Sequence, residues 1–295
     1  MSYPTSTFLL LGNPVEHSLS PLIHNSAFAL LGLPFHYSAH RISDIGGLDV
    51  EVLGEVDRGT ERLRHVIDRI DGVSLKGVNV TIPHKKAVLP FLDELTPIAR
   101  QVGAANTVFV RNGLKVGHNT DVEGFLSPLL GLNLEHKEVV ILGSGGAARA
   151  VMVAAESGLK ASRISVVSRN LDSARAACAD LHMGEVHEYA ELPELLATAS
   201  LIVNATPVGM WPATDHSPLP PFAKLGTHPI VYDLIYNPEE TELLREARIQ
   251  GSTTIGGLKM LIAQAAASFK IWTGQEMPVD AVEQAVKAHL KLKKN

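Results

Sequence analysis

Lys85, Asp121 and the glycines at 143, 145 and 146 are the residues of this 295-residue chain whose types and placement could do chemistry. Gly143-Ser-Gly-Gly146 follows a short apolar run, Glu138-Val-Val-Ile-Leu142, and precedes a helical pattern from Ala147 to Gly158. Such a run suits a strand buried on both faces. A glycine turn between strand and helix lets backbone N–H groups approach a phosphate, and the helix dipole favours an anion there. G-x-G-G-A is shorter than the full dinucleotide fingerprint, so a tight turn that binds nothing stands beside the phosphate-binding reading.

Lys85 and Lys86 follow His84, just after the strand Gly77-Val-Asn-Val-Thr-Ile82 that Pro83 stops. The segment to Leu92 reads as a short helix, and a lysine in its first turn opposes the macrodipole. Either the amines are simply solvated, or one is held where its charged form is disfavoured and serves as an acid or base near neutral pH. Asp121 closes Gly117-His-Asn-Thr-Asp121, where it can cap a helix from Val122 to Leu132 or pair with a lysine. In His17-Ser-Leu-Ser-Pro21, Ser18 and Ser20 put two hydroxyls on one turn at a helix start, which suits a ligand carboxylate. Capping alone accounts for Ser20, as N-cap with Pro21 at N1, but not for Ser18.

The elements that must position these groups fall into two patterns. Up to Asp121 the chain mixes strands (Thr7 to Leu11, Phe35 to Ile42, Asn106 to Val110) with helices (Ser20 to Leu31, Arg62 to Ile70, Thr96 to Val102). Asn112-Gly113 is a two-residue hairpin signal, and residues 43–60, acidic and poorly periodic, read as a loop with no assigned role. From Glu138 onward, strands at Val139–Leu142, Ile164–Ser168, Leu201–Asn204 and Ile230–Leu234 alternate with helical stretches, which implies a doubly wound parallel sheet. Its second strand ends Ser168-Arg-Asn170. An acidic residue near that tip would hold the ribose hydroxyls of NAD, whereas an arginine can hold the 2′-phosphate of NADP. Arg169 favours NADP over a merely solvated loop charge. The sheet is complete before Gly256, so the helices from Gly256 to Trp272 and from Val279 are expected to return to the first domain.

Composition narrows the function classes. A net charge of -5 argues against a general nucleic-acid binder, and the basic end from Lys287 to Lys294 reads as a solvated face. The single cysteine, Cys178, excludes an internal disulfide and a multi-cysteine metal site, and among alanines it reads as a small buried residue. The thirteen histidines show no ligand spacing, so no metal is expected. No apolar run reaches the ~20 residues that span a bilayer. The N-terminal segment lacks a basic n-region, and a cytoplasmic protein is expected.

Eight motifs, in order, together resemble the shikimate dehydrogenase family over nearly the whole chain: HSLSP at His17, NVTIPHK at Asn79, GAANT at Gly103, NTD at Asn119, GSGGAAR at Gly143, NATPVGM at Asn204, YDLIYNP at Tyr232 and GLKMLIAQ at Gly257. The resemblance implies an α/β protein with an N-terminal substrate-binding domain (1–121 and 256–295) and a Rossmann-like NADP-binding domain (122–255). It implies reversible NADPH-dependent reduction of 3-dehydroshikimate to shikimate, on the route through chorismate to the aromatic amino acids. By the same resemblance Lys85 matches the catalytic lysine and Asp121 the aspartate beside it. Ser18, Ser20, Thr81, Asn106, Tyr236 and Gln264 match substrate-binding positions, and Gly143, Ser144, Gly145, Gly146, Ala147, Arg169, Leu234 and Gly257 match cofactor positions. The implied partner is the small-molecule substrate, without nucleic acid or membrane, and a homodimer is compatible with the sequence. One departure stands out: where the family's cofactor loop reads N-R-T-x-x-R, this chain has Ser168-Arg-Asn-Leu-Asp-Ser173, so a weaker NADP preference is expected. A quinate/shikimate dehydrogenase with relaxed or NAD cofactor use is the alternative.

Overall fold

The computed structural model describes residues 6–42, 58–221 and 223–292. The readings made on residues 1–5, on most of the 43–60 loop and on Lys293 and Lys294 therefore lie outside the described residues. Two compact units divide at Thr120/Asp121 and again at Gln264/Ala265.

The first unit contains β1 (Ser6–Gly12), α1 (Ser20–Leu30), β2 (Phe35–Arg41), α2 (Arg58–Asp68), β3 (Leu75–Val80), β4 (Glu94–Leu95), α3 (Pro97–Val102), β5 (Thr107–Arg111) and β6 (Leu114–His118). Its sheet runs β2-β1-β3-β5-β6-β4. β1 is parallel to β2 and β3, while β5 is antiparallel to both β3 and β6. Asn112 and Gly113 close the β5–β6 hairpin with φ of 53° and 80°, the left-handed pair that matches strand twist in a two-residue loop. Leu11, Ile67, Val78, Val80 and Val108 belong to one buried cluster. An aromatic cluster forms a second part of the core: Phe8 lies 4.7 Å from Trp272 and Phe28 lies 5.3 Å from Phe269, centroid to centroid. The Trp272 indole donates to the Val108 carbonyl at 3.1 Å, close enough to Gly77 to leave no room for a side chain there.

The second unit holds α4 (Asp121–Leu126), β7 (Glu138–Leu142), α5 (Gly146–Val153), β8 (Arg163–Val167), α6 (Leu171–Leu181), β9 (Glu185–His187), α7 (Leu192–Thr198), β10 (Leu201–Asn204), β11 (Ile230–Asp233), α8 (Glu242–Ile249) and β12 (Thr253–Ile255). Every pairing in its sheet is parallel, in the order β12-β11-β10-β7-β8-β9. Strand order reverses between β7 and β10, the switch point at which doubly wound sheets bind ligands. The apolar runs of β7, β8 and β10 are buried as a sheet covered on both faces requires. Helix α9 (Gly257–Thr273) begins in this unit and ends in the first, to which α10 (Val279–Leu292) belongs. The sequence reading placed that boundary earlier, at Gly256.

Several local expectations are corrected. Residues 82–88 form successive turns followed by a 3₁₀ turn, Leu89–Phe91, rather than a helix from His84. The dipole argument about Lys85 and Lys86 therefore does not apply. The helix after Asp121 stops at Leu126, and a 3₁₀ turn, Ser127–Leu129, carries Pro128. Helix α2 starts at Arg58, four residues before the Arg62 start expected from the sequence, and ends at Asp68. Ser20 is not the N-cap of α1: Leu19 holds that position, and it is Ser18 whose Oγ accepts the Ser20 N–H at 3.2 Å.

Candidate active site

Five of the expected site residues gather within the first unit, at the carboxyl ends of β1 and β3. Leaving β3, the chain turns at Thr81, whose N–H donates to the Leu11 carbonyl at 2.8 Å and whose carbonyl accepts the His84 N–H at 2.9 Å. Gly12 is required beside it, because a Cβ there would lie 2.3 Å from the Thr81 methyl. The Lys85 carbonyl then accepts the Ala105 N–H at 2.9 Å, which sets the lysine backbone next to Asn106. Asn106 is itself held on several sides: its carbonyl takes the Val80 N–H at 2.8 Å, and its side-chain oxygen takes the Thr120 N–H at 2.8 Å. Thr120 immediately precedes Asp121, so the Asn106 amide also determines where the chain leaves β6.

Ser18 and Ser20 join this group through a buried polar network that sequence reasoning missed. Their hydroxyls lie 3.2 Å apart. The Tyr37 phenol lies beside Ser20 and donates to Asn79 Oδ1 at 2.8 Å. The Asn79 amide donates to the Asn106 carbonyl, to Thr107 Oγ1 and to Ser268 Oγ, each between 3.0 and 3.1 Å. Burial raises the Tyr37 phenol well above its ordinary range, so it acts here as a hydrogen-bonding group and not as an acid. One signal for this network was available: Asn79 is a polar residue inside the otherwise apolar strand Val78-Asn-Val80, and buried polar groups are paired.

The remaining expected residues belong to the second unit. Asp121 is the buried first residue of α4. One turn on, Gly124 packs against Gln264 of α9 so closely that a Cβ would lie 2.9 Å from the Gln264 nitrogen. The structure thus brings Asp121 and Gln264 onto adjoining helices. Tyr236 is part-buried, with its phenol raised by desolvation. Gly257 sits against the β11 exit, its N–H donating to the Ile235 carbonyl at 3.0 Å, and any Cβ would strike the Leu234 carbonyl oxygen at 2.1 Å.

The glycine turn fits a dinucleotide. Gly143 has φ of +107°, a region side chains rarely enter, and a Cβ there would press on the Ala205 carbonyl at 3.1 Å. A Cβ on Gly145 would meet nothing within 4 Å, so this face of the turn is open. Gly145 is the N-cap of α5 and no side chain caps the helix, which leaves its first N–H groups available to a phosphate. At the tip of β8 the Ser144 hydroxyl lies 3.2 Å from those of both Ser168 and Ser173, beside the exposed Arg169. The tip residues Ser168, Arg169 and Asn170 include no acidic side chain; Asp172, the second residue of α6, pairs with Arg175 at 3.5 Å. Among the described residues no cluster of three or more histidine, cysteine or acidic side chains could hold a metal. The Cys178 thiol is buried and raised by desolvation, as befits a packing residue.

A parallel sheet with its glycine turn at the switch point, in a chain whose first α/β unit sets the Lys85 backbone beside Asn106, defines a two-domain dinucleotide-dependent oxidoreductase. Residues 10–108 match the profile of the shikimate dehydrogenase substrate binding domain, and residues 257–287 that of the shikimate 5'-dehydrogenase C-terminal domain. The shikimate dehydrogenase (NADP(+)) of Salinibacter ruber is 42% identical, across 96% of this chain and 98% of that protein. The crystal structure of shikimate 5-dehydrogenase from Thermus thermophilus in complex with NADP(H) and shikimate is 35% identical with a TM-score of 0.77, covering 96% of this chain and 99% of that one. Quinate dehydrogenase from Corynebacterium glutamicum, in complex with NAD, is 30% identical with a TM-score of 0.82, over 96% and 99%. This chain belongs to the shikimate dehydrogenase family.

Proposed function

We propose that this chain reduces 3-dehydroshikimate to shikimate with NADPH, and runs the reverse oxidation with NADP, as a step toward chorismate and the aromatic amino acids. The observation that carries the reading is the convergence of Ser18, Ser20, Thr81, Lys85 and Asn106 at one end of the first unit's sheet. Hydroxyls and an amide are the groups that a polyhydroxylated carboxylic acid calls for. The bound dinucleotide supplies the hydride. The protein has to orient the ring and manage a proton at the carbonyl oxygen. In this reading Lys85 gives that proton in reduction and takes it back in oxidation, and Asp121 orients the amine and offsets its charge. Ser18 and Ser20 bind the carboxylate, while Thr81, Asn106, Tyr236 and Gln264 take the ring hydroxyls. Gly143 to Ala147, Arg169, Leu234 and Gly257 line the dinucleotide.

The test is steady-state oxidation of shikimate with NADP and with NAD, on wild type and Lys85→Ala. Loss of kcat by roughly 100- to 10,000-fold with little change in KM is the result expected for a general acid–base residue. An equal loss in KM alone would assign Lys85 to binding. The likeness to the quinate dehydrogenase supports a second reading, oxidation of quinate with NAD. Turnover of quinate with NAD above that of shikimate with NADP in the same assay would favour it.

A further inference from the structure

Asp233, at the end of β11, is fully buried and lies outside every role assigned above. Its Oδ1 accepts from Asn204 Nδ2 and from the Ile235 N–H, each at 3.0 Å, and its Oδ2 accepts from Thr241 Oγ1 at 2.6 Å. Asn204 passes the constraint on: its Oδ1 accepts the Thr206 N–H at 3.0 Å and the Thr206 hydroxyl at 2.7 Å. One carboxylate therefore ties together the segments that leave β10 and β11 and the start of α8. Two of these segments form walls of the dinucleotide site. Ala205 and Thr206 back onto the Gly143 turn, where a Gly143 Cβ would lie 3.0 Å from the Thr206 methyl and 3.1 Å from the Ala205 carbonyl. Leu234 and Ile235 present their carbonyls to Gly257.

We propose that Asp233 is a positioning residue for the dinucleotide, acting through Asn204 and Thr206 on the glycine turn and through the Ile235 amide on the Gly257 wall. The inference rests on the cofactor reading given above. A buried carboxylate is costly to maintain, and hydrophobic side chains would fill the space at lower cost. Its three acceptor bonds hold backbone and side chains that no strand pairing constrains. With that anchor loosened, the walls shift and the dinucleotide loses a preorganised site, whereas the substrate groups of the first unit are untouched.

The experiment compares Thr206→Val, Thr206→Ser and Asp233→Asn with wild type, by calorimetric titration of NADP+ and by the separate KM values for NADP+ and shikimate. Thr206→Val keeps the shape and loses the hydroxyl, while Thr206→Ser keeps the hydroxyl and loses the methyl. The expected result is an NADP+ dissociation constant about tenfold weaker in Thr206→Val, which loses the hydroxyl's bonds to Asn204 Oδ1 and from the Val208 N–H, and at least as weak in Asp233→Asn. Thr206→Ser should stay within about twofold of wild type, and the shikimate KM should be unchanged in all three. If Asp233→Asn does not fold, the two Thr206 variants decide alone. Binding unchanged in Thr206→Val, or weakened equally in Thr206→Ser, would overturn the inference while leaving the cofactor reading intact. A wild type that does not bind NADP+ would overturn both.

Discussion

Tyr37 and Asn79, 42 positions apart in the sequence, are joined by a buried hydrogen bond of 2.8 Å that links the Ser18–Ser20 end of the substrate group to its Asn106 end. Replacing Tyr37 with Phe leaves the Asn79 oxygen buried without this donor and removes the phenol from Ser20. The expected cost is about 1–3 kcal/mol of folding stability, read by urea denaturation. Because Ser20 loses a fixed neighbour, the shikimate KM should rise while the NADP+ KM does not. Equal shifts in both would show that the network supports the fold without orienting substrate.

Gly145 and Gly257 separate two reasons for a glycine. A Cβ at Gly257 would collide with backbone, the Leu234 oxygen at 2.1 Å and the Ile235 oxygen at 2.7 Å, which cannot swing aside as a flexible side chain can. Gly257→Ala should therefore destabilise by several kcal/mol, on the order of other severe overpacking changes, and its thermal transition should fall accordingly. A Cβ at Gly145 meets no atom, so Gly145→Ala should melt close to wild type and lose NADP+ affinity because the methyl occupies the open face of the turn. Retained affinity in that variant would place the phosphates elsewhere.

These contrasts show what the chain discloses before it is folded and what it does not. The β7 strand, the glycine turn and the alternation behind them could be read because apolar runs, glycines and helix starts are local signals. So could the Asn112-Gly113 hairpin. Strands β4, β9 and β12 escaped notice: Glu94–Leu95, Glu185–His187 and Thr253–Ile255 are two or three residues long, and two of them begin or end in charged or titratable residues. They exist because a neighbouring strand leaves an edge to pair with. The Lys85 segment was misread as a helix because its spacing allows one. The hydrogen bonds that fix its two sides, from the Thr81 N–H to the Leu11 carbonyl and from the Ala105 N–H to the Lys85 carbonyl, join residues a local pattern does not connect. The Tyr37–Asn79 and Asn204–Asp233 pairs are equally nonlocal, although Asn79 inside β3, and Asn204 and Asp233 at the ends of β10 and β11, give each a faint signal.

Asp233 also makes a prediction in pH. Burial raises its carboxyl from 3.8 to about 6, against the opposing hydrogen bonds from Thr241, Ile235 and Asn204. Between those values the unfolded chain has released the proton and the folded one retains it. The folded state binds more protons there, so this group's contribution to stability falls as pH rises through the window and is fully lost above about 6. The size is about 3 kcal/mol, from roughly two pKa units. Asp233→Asn has no such titration. Wild-type stability minus that of the variant should therefore decline by about this amount between pH 3.5 and 7, and taking the difference cancels the other carboxylates. A flat difference would mean that Asp233 titrates at its ordinary value.

One guanidinium and three hydroxyls stand at the β8 tip, where the proposed function puts the 2′-phosphate of NADP. Arg169 is the exposed cation there, and Ser173 stands where the family pattern has a second basic residue, with its Oγ 3.2 Å from that of Ser144. A charge-assisted contact to a phosphate is worth about 1.5–3 kcal/mol, so Arg169→Ala should weaken NADP+ binding by roughly 10- to 100-fold. NAD+ lacks the 2′-phosphate, and its affinity should be unchanged. Ser173→Arg should move the other way and tighten NADP+ alone. Both effects involve solvent-exposed charge, so they should shrink as ionic strength rises from 0.01 to about 0.5 M, while NAD+ binding stays level. Parallel titrations of the two dinucleotides at low and high salt check all three expectations. Equal losses for NADP+ and NAD+ in Arg169→Ala would show that Arg169 shapes the turn and does not read the phosphate.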